Sequence, residues 1–157
     1  KKLGNWQANK EYKLDSKLQE KLVRDEQDSI RVLSLESMIH LTKFLSNEEN
    51  EINAAELLDA GEEKSWKVRL CIAKNFAEFS EAFGQELTNS HLIQTFNMLL
   101  CDNESEVRHA AIKGLCKWLK NIQTEKMKTV LMPTYKVALH PQTAHPNLKR
   151  AHLNLFV

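Results

Sequence analysis

The chain has 157 residues, of which 42% are apolar and 27% charged, so it can form a substantial core and does not resemble a disordered segment. It has only 4 glycines and 3 prolines, too few for the many tight turns that connect the strands of a β-sheet fold, whereas good helix formers are abundant. The net charge is +1, no apolar run approaches the roughly 18 residues of a membrane span, and the polar N-terminal stretch lacks a signal-peptide core. We therefore expect an all-α chain that is neither exported nor embedded in a membrane.

The first predicted elements are a short helix over residues 14–24 and a longer helix that follows the turn at Asp25 and runs to about Leu45. Asp28 has the side chain of a good N-cap for the second helix. This helix has too many apolar positions for a single stripe, which is typical of an inner helix buried between neighbours on two sides. The apolar positions are Ile30, Leu33, Leu35, Met38, Ile39, Leu41 and Leu45.

A second helix pair is predicted over residues 50–84. Its outer helix spans about residues 52–60 and ends at Gly61, because glycine adopts the left-handed backbone that closes a helix at no steric cost. The inner helix begins near Ser65 and ends at Gly84. It presents a core face at steps of four, three and four residues. This face consists of Ile72, Phe76, Phe79 and Phe83.

A third helix pair is predicted over residues 88–122. Thr88 or Ser90 opens its outer helix, and Asn103 caps its inner helix in a capping-box pattern with Glu106. The core face of this inner helix has the same spacing of four, three and four residues as that of the second unit. It consists of Ala111, Leu115, Trp118 and Ile122.

A fourth unit is predicted over residues 124–157, with Thr124 at the start of its outer helix. Pro133 should offset the first turns of that helix, because its ring removes a backbone donor and clashes with the preceding turn. The apolar residues at the end of the chain indicate an internal piece of a longer array. One continuous segment, 1–157, is thus expected to hold repeats at residues 14–46, 50–84, 88–122 and 124–157.

An acidic residue precedes an arginine by six positions in each of the first three units. The pairs are Asp25 with Arg31, Glu63 with Arg69 and Asp102 with Arg108. Successive arginines are 38 and 39 residues apart, and a period of about 40 residues built on two helices is typical of HEAT or armadillo α-solenoids. We expect these six residues to form a structural ladder, in which a carboxylate of one unit accepts two parallel hydrogen bonds from the guanidinium of the next.

Motifs of catalysis and metal binding are missing from the sequence. It contains no GxSxG, HExxH or GxxxxGK[ST] motif and no paired CxxC spacing for zinc. We therefore expect no enzyme activity, no catalytic or metal-ligating residues and no cofactor. Cys71, Cys101 and Cys116 occupy apolar helical positions, which predicts buried, reduced thiols and a cytoplasmic or nuclear location.

Charge is unevenly distributed along the chain. Residues 48–63 hold seven acidic side chains and no Lys or Arg, whereas residues 113–157 hold eight Lys or Arg and one acid. Such a basic end could contact nucleic acid. However, Lys113, Lys117 and Lys120 recur at the spacing of one helix face, which favours a solvated stripe. We therefore expect no nucleic-acid partner.

The turns resemble those of one protein family, the scaffold (A) subunits of protein phosphatase 2A. The resemblance lies in DEQDSIR at residues 25–31, EKSWKVR at 63–69 and CDNESEVRHAA at 101–111, and it continues through FGQEL at 83–87 and LMP at 131–133. The outer helix at 52–60 lacks a proline often found there in the family. The fourth turn, with His140, Pro141 and Pro146, replaces an acidic family turn.

This resemblance implies a non-catalytic scaffold of HEAT repeats. The intra-repeat turns of the earlier and middle repeats would hold a regulatory B-type subunit, and later repeats of the full-length protein the catalytic subunit. Trp66 could anchor the partner as a hot spot or pack on the neighbouring turn. The residues expected to contact the regulatory subunit are Glu26, Gln27, Asp28, Lys64, Ser65, Trp66, Lys67, Asn103 and Glu104. A HEAT-repeat transport receptor or other protein-binding adaptor remains the alternative.

Overall fold

A computed structural model describes residues 16–133, and within this range the chain forms helices and turns without a strand. The helices are α1 (Ser16–Val23), α2 (Asp28–Leu41), α3 (Asn47–Gly61), α4 (Trp66–Lys74), α5 (Phe76–Leu87), α6 (Ile93–Leu100), α7 (Ser105–Trp118) and α8 (Thr124–Lys126). Short 3-10 turns at Thr42–Phe44 and Leu119–Asn121 extend α2 and α7, and π turns at Thr88–Leu92 and Met127–Leu131 follow α5 and α8. Most of the predicted fourth unit lies outside the described residues.

The helices form antiparallel pairs that stack on one another. The pairs are α1 with α2, α3 with α4, and α6 with α7. The inner helix α4 packs against both α2 and α7, and the outer helix α3 packs against α1 and α6. Since each pair contacts chiefly the next pair, the chain is an α-solenoid, as the sequence predicts.

An aromatic cluster joins the second and third helix pairs. Phe76, Phe96 and Trp118 are at most 1% exposed. The ring centroids of Phe96 and Trp118 are 4.1 Å apart in a stacked arrangement, and Phe76 meets Trp118 edge-on at 5.0 Å. Burial of an aromatic side chain of this size stabilises the fold by about 1.5–3 kcal/mol. The core face predicted for the second inner helix is confirmed, because Ile72, Phe76, Phe79 and Phe83 are all buried.

Helix α2 differs from the prediction in its cap and in its apolar face. Its N-cap is Gln27 with an extended backbone, and Asp28 is the first helical residue. Leu35 and Met38 are fully buried, but Leu33 is 63% exposed. The neighbouring helices therefore cover α2 on fewer sides than its apolar composition indicates.

The two glycines predicted to end helices behave differently. Gly84 has φ +79°, a conformation that side chains other than hydrogen resist, and it interrupts α5 where the sequence predicts the end of the inner helix. The chain resumes a helix directly after it, so the outer helix of the third unit begins before Thr88. Gly61 is instead the buried last residue of α3 without a left-handed backbone. A Cβ atom there would lie 2.9 Å from Cγ2 of Thr95, so this glycine permits close approach of two outer helices.

The predicted helix caps also require correction at two places. Helix α3 starts earlier than expected, at Asn47, because Ser46 and Glu49 form a complete capping box. The N–H of Glu49 donates to Ser46 Oγ at 3.2 Å, and the N–H of Ser46 donates to Glu49 Oε2 at 2.9 Å. The capping box predicted at Asn103 is wrong, because Glu104 is the N-cap residue of α7 and makes no side-chain capping bond.

Candidate functional site

Each of the three repeated arginines binds the turn that precedes it through main-chain carbonyl groups. In every case Nη1 donates to the carbonyl oxygens of the residues six and five positions earlier. The bonds run from Arg31 to Asp25 (2.5 Å) and Glu26 (3.1 Å), from Arg69 to Glu63 (2.5 Å) and Lys64 (3.1 Å), and from Arg108 to Asp102 (2.5 Å) and Asn103 (2.8 Å). The spacing of six residues therefore reflects an arginine in the first turn of an inner helix reaching back over its own turn.

The repeated acids bind the same turns through main-chain N–H groups. Their carboxylates accept hydrogen bonds from N–H groups one or two residues later, as acidic turn residues commonly do. The donors are the N–H groups of Gln27 for Asp25 (2.9 Å), Lys64 for Glu63 (2.7 Å) and Glu104 for Asp102 (2.8 Å). Arginine and acid together satisfy both the carbonyls and the amides of each turn, so the turn backbone is held in one conformation.

The second and third turns are joined by a paired ionic contact. Nε of Arg69 donates to Oδ2 of Asp102 at 2.6 Å, and Nη2 donates to Oδ1 at 3.0 Å. Both side chains are largely buried, at 14% and 5% exposure, and the hydrogen bonds to Asp102 raise the pKa of Arg69. The direction is opposite to the predicted one, because the guanidinium of Arg69 faces the turn of the following unit and so meets that unit's carboxylate.

The first and second turns are joined differently. Nε of Arg31 is 3.7 Å from Oε2 of Glu63, beyond hydrogen-bonding distance. Nη2 of Arg31 donates instead to Oδ1 of Asp28 at 2.5 Å, and Oδ2 of Asp28 accepts from Oγ of Ser65 at 2.8 Å. Two residues predicted to contact a partner, Asp28 and Ser65, therefore also join the first two repeats. Their part in partner binding stays a prediction.

The other predicted contact residues lie on the surface of three successive turns. Trp66 is 40% exposed at the start of α4. We call this surface the turn ridge, and its exposed members are Glu26, Gln27, Lys64, Trp66, Lys67, Asn103 and Glu104. The ridge carries an acid on the first and third turns and two lysines beside Trp66 on the second.

The cysteines do not form a reactive site in the part of the chain that the structure describes. Cys71 is buried, its sulfur lies 3.9 Å from the carbonyl oxygen of Val32, and burial raises the pKa of its thiol to about 11. Its thiol is therefore neutral and a weak nucleophile at physiological pH. Cys101 was expected to be buried and is exposed, because it lies in the turn that ends α6. The side chain of Cys116 lies outside the described residues.

Metal and membrane sites are also missing from residues 16–133. No three His, Cys, Asp or Glu side chains in that range are placed to hold a metal ion. None of its helices is long and apolar enough to cross a membrane. The basic stripe is exposed at Lys113, Lys117 and Lys120. Nζ of Lys117 pairs with Oε1 of Glu78 at 2.5 Å, which lowers the pKa of Glu78.

The sequence patterns gave no indication of one buried acid on the outer helix α3. Glu56 is only 6% exposed, and its Oε2 atom accepts no hydrogen bond. It stands within an acidic run whose other members are mostly exposed, and periodicity alone could not separate it from them. Its spacing of three and four residues from Asn53 and Ala60, which are both buried, is a signal that could have indicated its burial.

Comparison with known families gives one match. Residues 85–152 match the model of the PPP2R1A-like HEAT repeat. This segment contains α6, α7 and the third turn with Asp102 and Arg108. No curated protein sequence matches the chain. The match confirms the predicted resemblance to the HEAT repeats of phosphatase 2A scaffold subunits and supports a repeat scaffold.

Proposed function

We propose that this chain is a non-catalytic scaffold of a protein serine/threonine phosphatase 2A-type holoenzyme, because residues 85–152 match the model of the PPP2R1A-like HEAT repeat. Its turn ridge holds a B-type regulatory subunit directly. The catalytic subunit is held by later repeats of the full-length protein. The proposed compartments are the cytoplasm and the nucleus, in keeping with the buried thiol of Cys71.

Within the turns, some residues hold the backbone and others face the solvent, and this separation is the structural observation that supports the proposal most strongly. Arginine and acid hold the turn backbone through hydrogen bonds, whereas the side chains of the turn ridge between them remain exposed. A binding surface whose backbone is already fixed loses little conformational entropy on association. The turns thus combine a rigid frame with free side chains, as a scaffold requires.

Trp66 is the strongest anchor candidate on the ridge. It is 40% exposed, so a partner can bury a large part of its indole, and tryptophan is enriched among residues that dominate binding energy. Lys64 and Lys67 flank it, and both are exposed. We therefore propose that the partner presents an apolar pocket rimmed by acidic side chains to the second turn.

Titration calorimetry with a purified B-type regulatory subunit tests this function. We expect saturable binding, weakened at least about tenfold by Trp66→Ala, which corresponds to about 1.4 kcal/mol. Phe44→Ala is the matched control, because Phe44 is an aromatic residue that is 84% exposed at the opposite end of its inner helix. Its removal should leave the affinity unchanged.

Three results would contradict the proposed function or its contact surface. Failure to bind any B-type subunit would leave the transport receptor or other adaptor as the better interpretation. An equal loss of affinity for Trp66→Ala and Phe44→Ala would show that the turn ridge is not the contact surface. Salt-sensitive binding of DNA or RNA in place of protein would favour a nucleic-acid-associated array.

A further inference from the structure

A cavity of about 260 Å³ lies between the first and second helix pairs, at the end where their turns are. It is smaller than the roughly 300–1,000 Å³ of typical small-molecule pockets, yet it has room for one long side chain. Its lining is mostly charged. The charged residues are Arg24, Asp25, Arg31, Glu56, Asp59 and Glu63, that is, four carboxylates and two guanidinium groups.

Glu56 is the lining residue whose position is hardest to explain without a partner. It is 6% exposed, and its buried Oε2 atom accepts no hydrogen bond. Burial raises its pKa. A buried carboxylate without a donor is costly, because it loses its hydration and gains no compensating hydrogen bond. The carboxyl group of Glu56 therefore lacks a hydrogen-bond donor at this oxygen.

The two arginines that line the cavity do not supply that donor. Arg31 donates through Nη1 to the carbonyls of its own turn and through Nη2 to Asp28. Its Nε atom is buried and unpaired, 3.7 Å from Oε2 of Glu63, and makes no hydrogen bond to Glu56. Arg24 is exposed and lowers the pKa of Glu56 by its charge, but it makes no hydrogen bond to it. The lining thus holds four carboxylates against two guanidinium groups, and Glu56 and Arg31 each keep one buried polar atom without a partner.

The acidic lining of the cavity favours an organic cation as its ligand. No three carboxylate, His or Cys side chains of residues 16–133 are arranged to hold a metal ion. A guanidinium group brings five donors in a planar fork that matches carboxylates, and it is more weakly hydrated than an ammonium group. Entry into a partly buried acidic cavity therefore costs a guanidinium less than it costs a lysine.

We propose that this cavity receives an arginine side chain of the partner protein, whose guanidinium donates to Glu56. The inference rests on the proposed function, because Asp25 and Glu63 line the cavity and belong to the first two turns of the ridge. A partner seated on the ridge can therefore insert a side chain between the two repeats. Asp59, one helical turn after Glu56, supplies a second acceptor in the same lining.

Amide NMR with N-acetyl-arginine amide as the probe tests this site on the chain itself. We expect saturable shifts centred on residues 56, 59 and 63, and none with N-acetyl-citrulline amide, which has the same shape without the charge. Glu56→Gln should weaken the binding at least tenfold. Glu51→Gln removes the same charge from an exposed position of α3 and should leave it unchanged.

Three outcomes would overturn the site. Equal shifts with the citrulline derivative would show that binding does not depend on the positive charge of the guanidinium group. Equal affinity for N-acetyl-lysine amide, free at its ε-amino group, would contradict the assignment to a guanidinium. Binding that is seen only after Arg24→Gln would mean that the chain's own arginine fills the cavity.

The regulatory-subunit titration separates this inference from the proposed function. If the subunit binds the chain and Glu56→Gln binds it as well as Glu51→Gln does, the arginine site is wrong and the scaffold function stands. If no subunit binds while the arginine derivative still binds in a manner that depends on Glu56, the scaffold function is wrong and the site stands. If Glu56→Gln weakens binding of the subunit and Glu51→Gln does not, the result supports both the scaffold function and the arginine site.

Discussion

Arginine is the residue that the repeated turns require, because its planar fork serves several acceptors at once. In Arg69 the Nη1 atom donates to two main-chain carbonyls while Nε and Nη2 donate to Asp102. A lysine ammonium has three donors on a compact point and could not serve the two groups with the same geometry. The six-residue spacing thus marks arginines that hold their own turns, and at Arg69 the same side chain also holds the next turn.

Replacing Arg69 by alanine should destabilise the chain strongly. The change removes both turn bonds and leaves Asp102, only 5% exposed, without its ionic partner. Breaking a largely buried pair of this kind costs about 3 kcal/mol. Lys67→Ala is the control on the same helix, and at an exposed position it should change stability by no more than about 0.5 kcal/mol. Equal midpoints of urea unfolding for the two variants would refute the structural role of Arg69.

The burial of Glu56 predicts a pH-dependent difference between the chain and its Glu56→Gln variant. Burial raises the pKa of Glu56 above its ordinary 4.5, opposed by Arg24 and reinforced by Glu20 and Asp59. The protonated form is therefore favoured in the folded state, and its contribution to stability is lost as the pH rises through the folded pKa. Glutamine does not titrate, so Glu56→Gln should be the more stable protein at pH 7, with an advantage that shrinks towards pH 4.5.

Urea unfolding at several pH values checks this expectation. Glu51→Gln, an exposed change on the same helix, corrects for the loss of one negative charge. A Glu56→Gln variant that is less stable than the parent chain at pH 7, with no trend in pH, would mean that the carboxylate has a stabilising donor in solution.

At the element scale, the glycines show how closely the helices approach one another. A Cβ atom at Gly61 would lie 2.9 Å from Cγ2 of Thr95 and 3.1 Å from Cε of Met98, whereas the nearest atom to one at Gly114 is 3.9 Å away. Overpacking costs about 1–3 kcal/mol, which exceeds the roughly 1 kcal/mol that alanine gains over glycine in a helix. Gly61→Ala should therefore destabilise the chain.

Gly114→Ala is the matched control for this effect. It lies inside α7 with room for a methyl group, so it should raise the stability by up to about 1 kcal/mol. Thermal unfolding of the two variants checks both signs. Unchanged stability of Gly61→Ala would contradict the packing distance between the outer helices α3 and α6. Destabilisation by Gly114→Ala would contradict the distance between the inner helices α4 and α7.

Periodicity predicts the helices and their cores well but their ends poorly. The step of four, three and four residues places Phe76, Phe79 and Phe83 in the core, because burial of one face follows directly from helix geometry. Caps are harder, since several acids, amides and hydroxyls crowd each turn and the backbone decides which of them lies at the N-cap. Asp28 and Asn103 were favoured by residue type, yet Gln27 and Glu104 hold the extended backbone.

The candidate site is predictable only in part for a similar reason. The sequence places the turn residues on one ridge, since they share a position in successive repeats. It does not indicate that Asp28 and Ser65 hydrogen-bond across two repeats, because that contact joins residues 37 positions apart in the chain. Nor does it reveal the buried, unbonded carboxylate of Glu56, which depends on how the outer helices pack.

At the scale of the whole molecule, each helix pair is stabilised chiefly by its neighbours. The second and third pairs share the aromatic cluster of Phe76, Phe96 and Trp118 and the contact between Arg69 and Asp102. The first and second pairs share the link from Asp28 to Ser65, and beside it the cavity lined by Glu56. The contacts between successive pairs therefore differ, and the proposed arginine site lies between the first and second pairs.

We propose that the turn ridge is the main contact surface for the regulatory subunit. Hydrogen exchange of the chain, with and without a purified B-type regulatory subunit, tests it most directly. We predict that the added protection is concentrated at residues 25–28, 62–67 and 102–105, with little change at the exposed surfaces of α3 and α6. Protection concentrated on those outer helices, with the three turns unchanged while the subunit is bound, would contradict the claim.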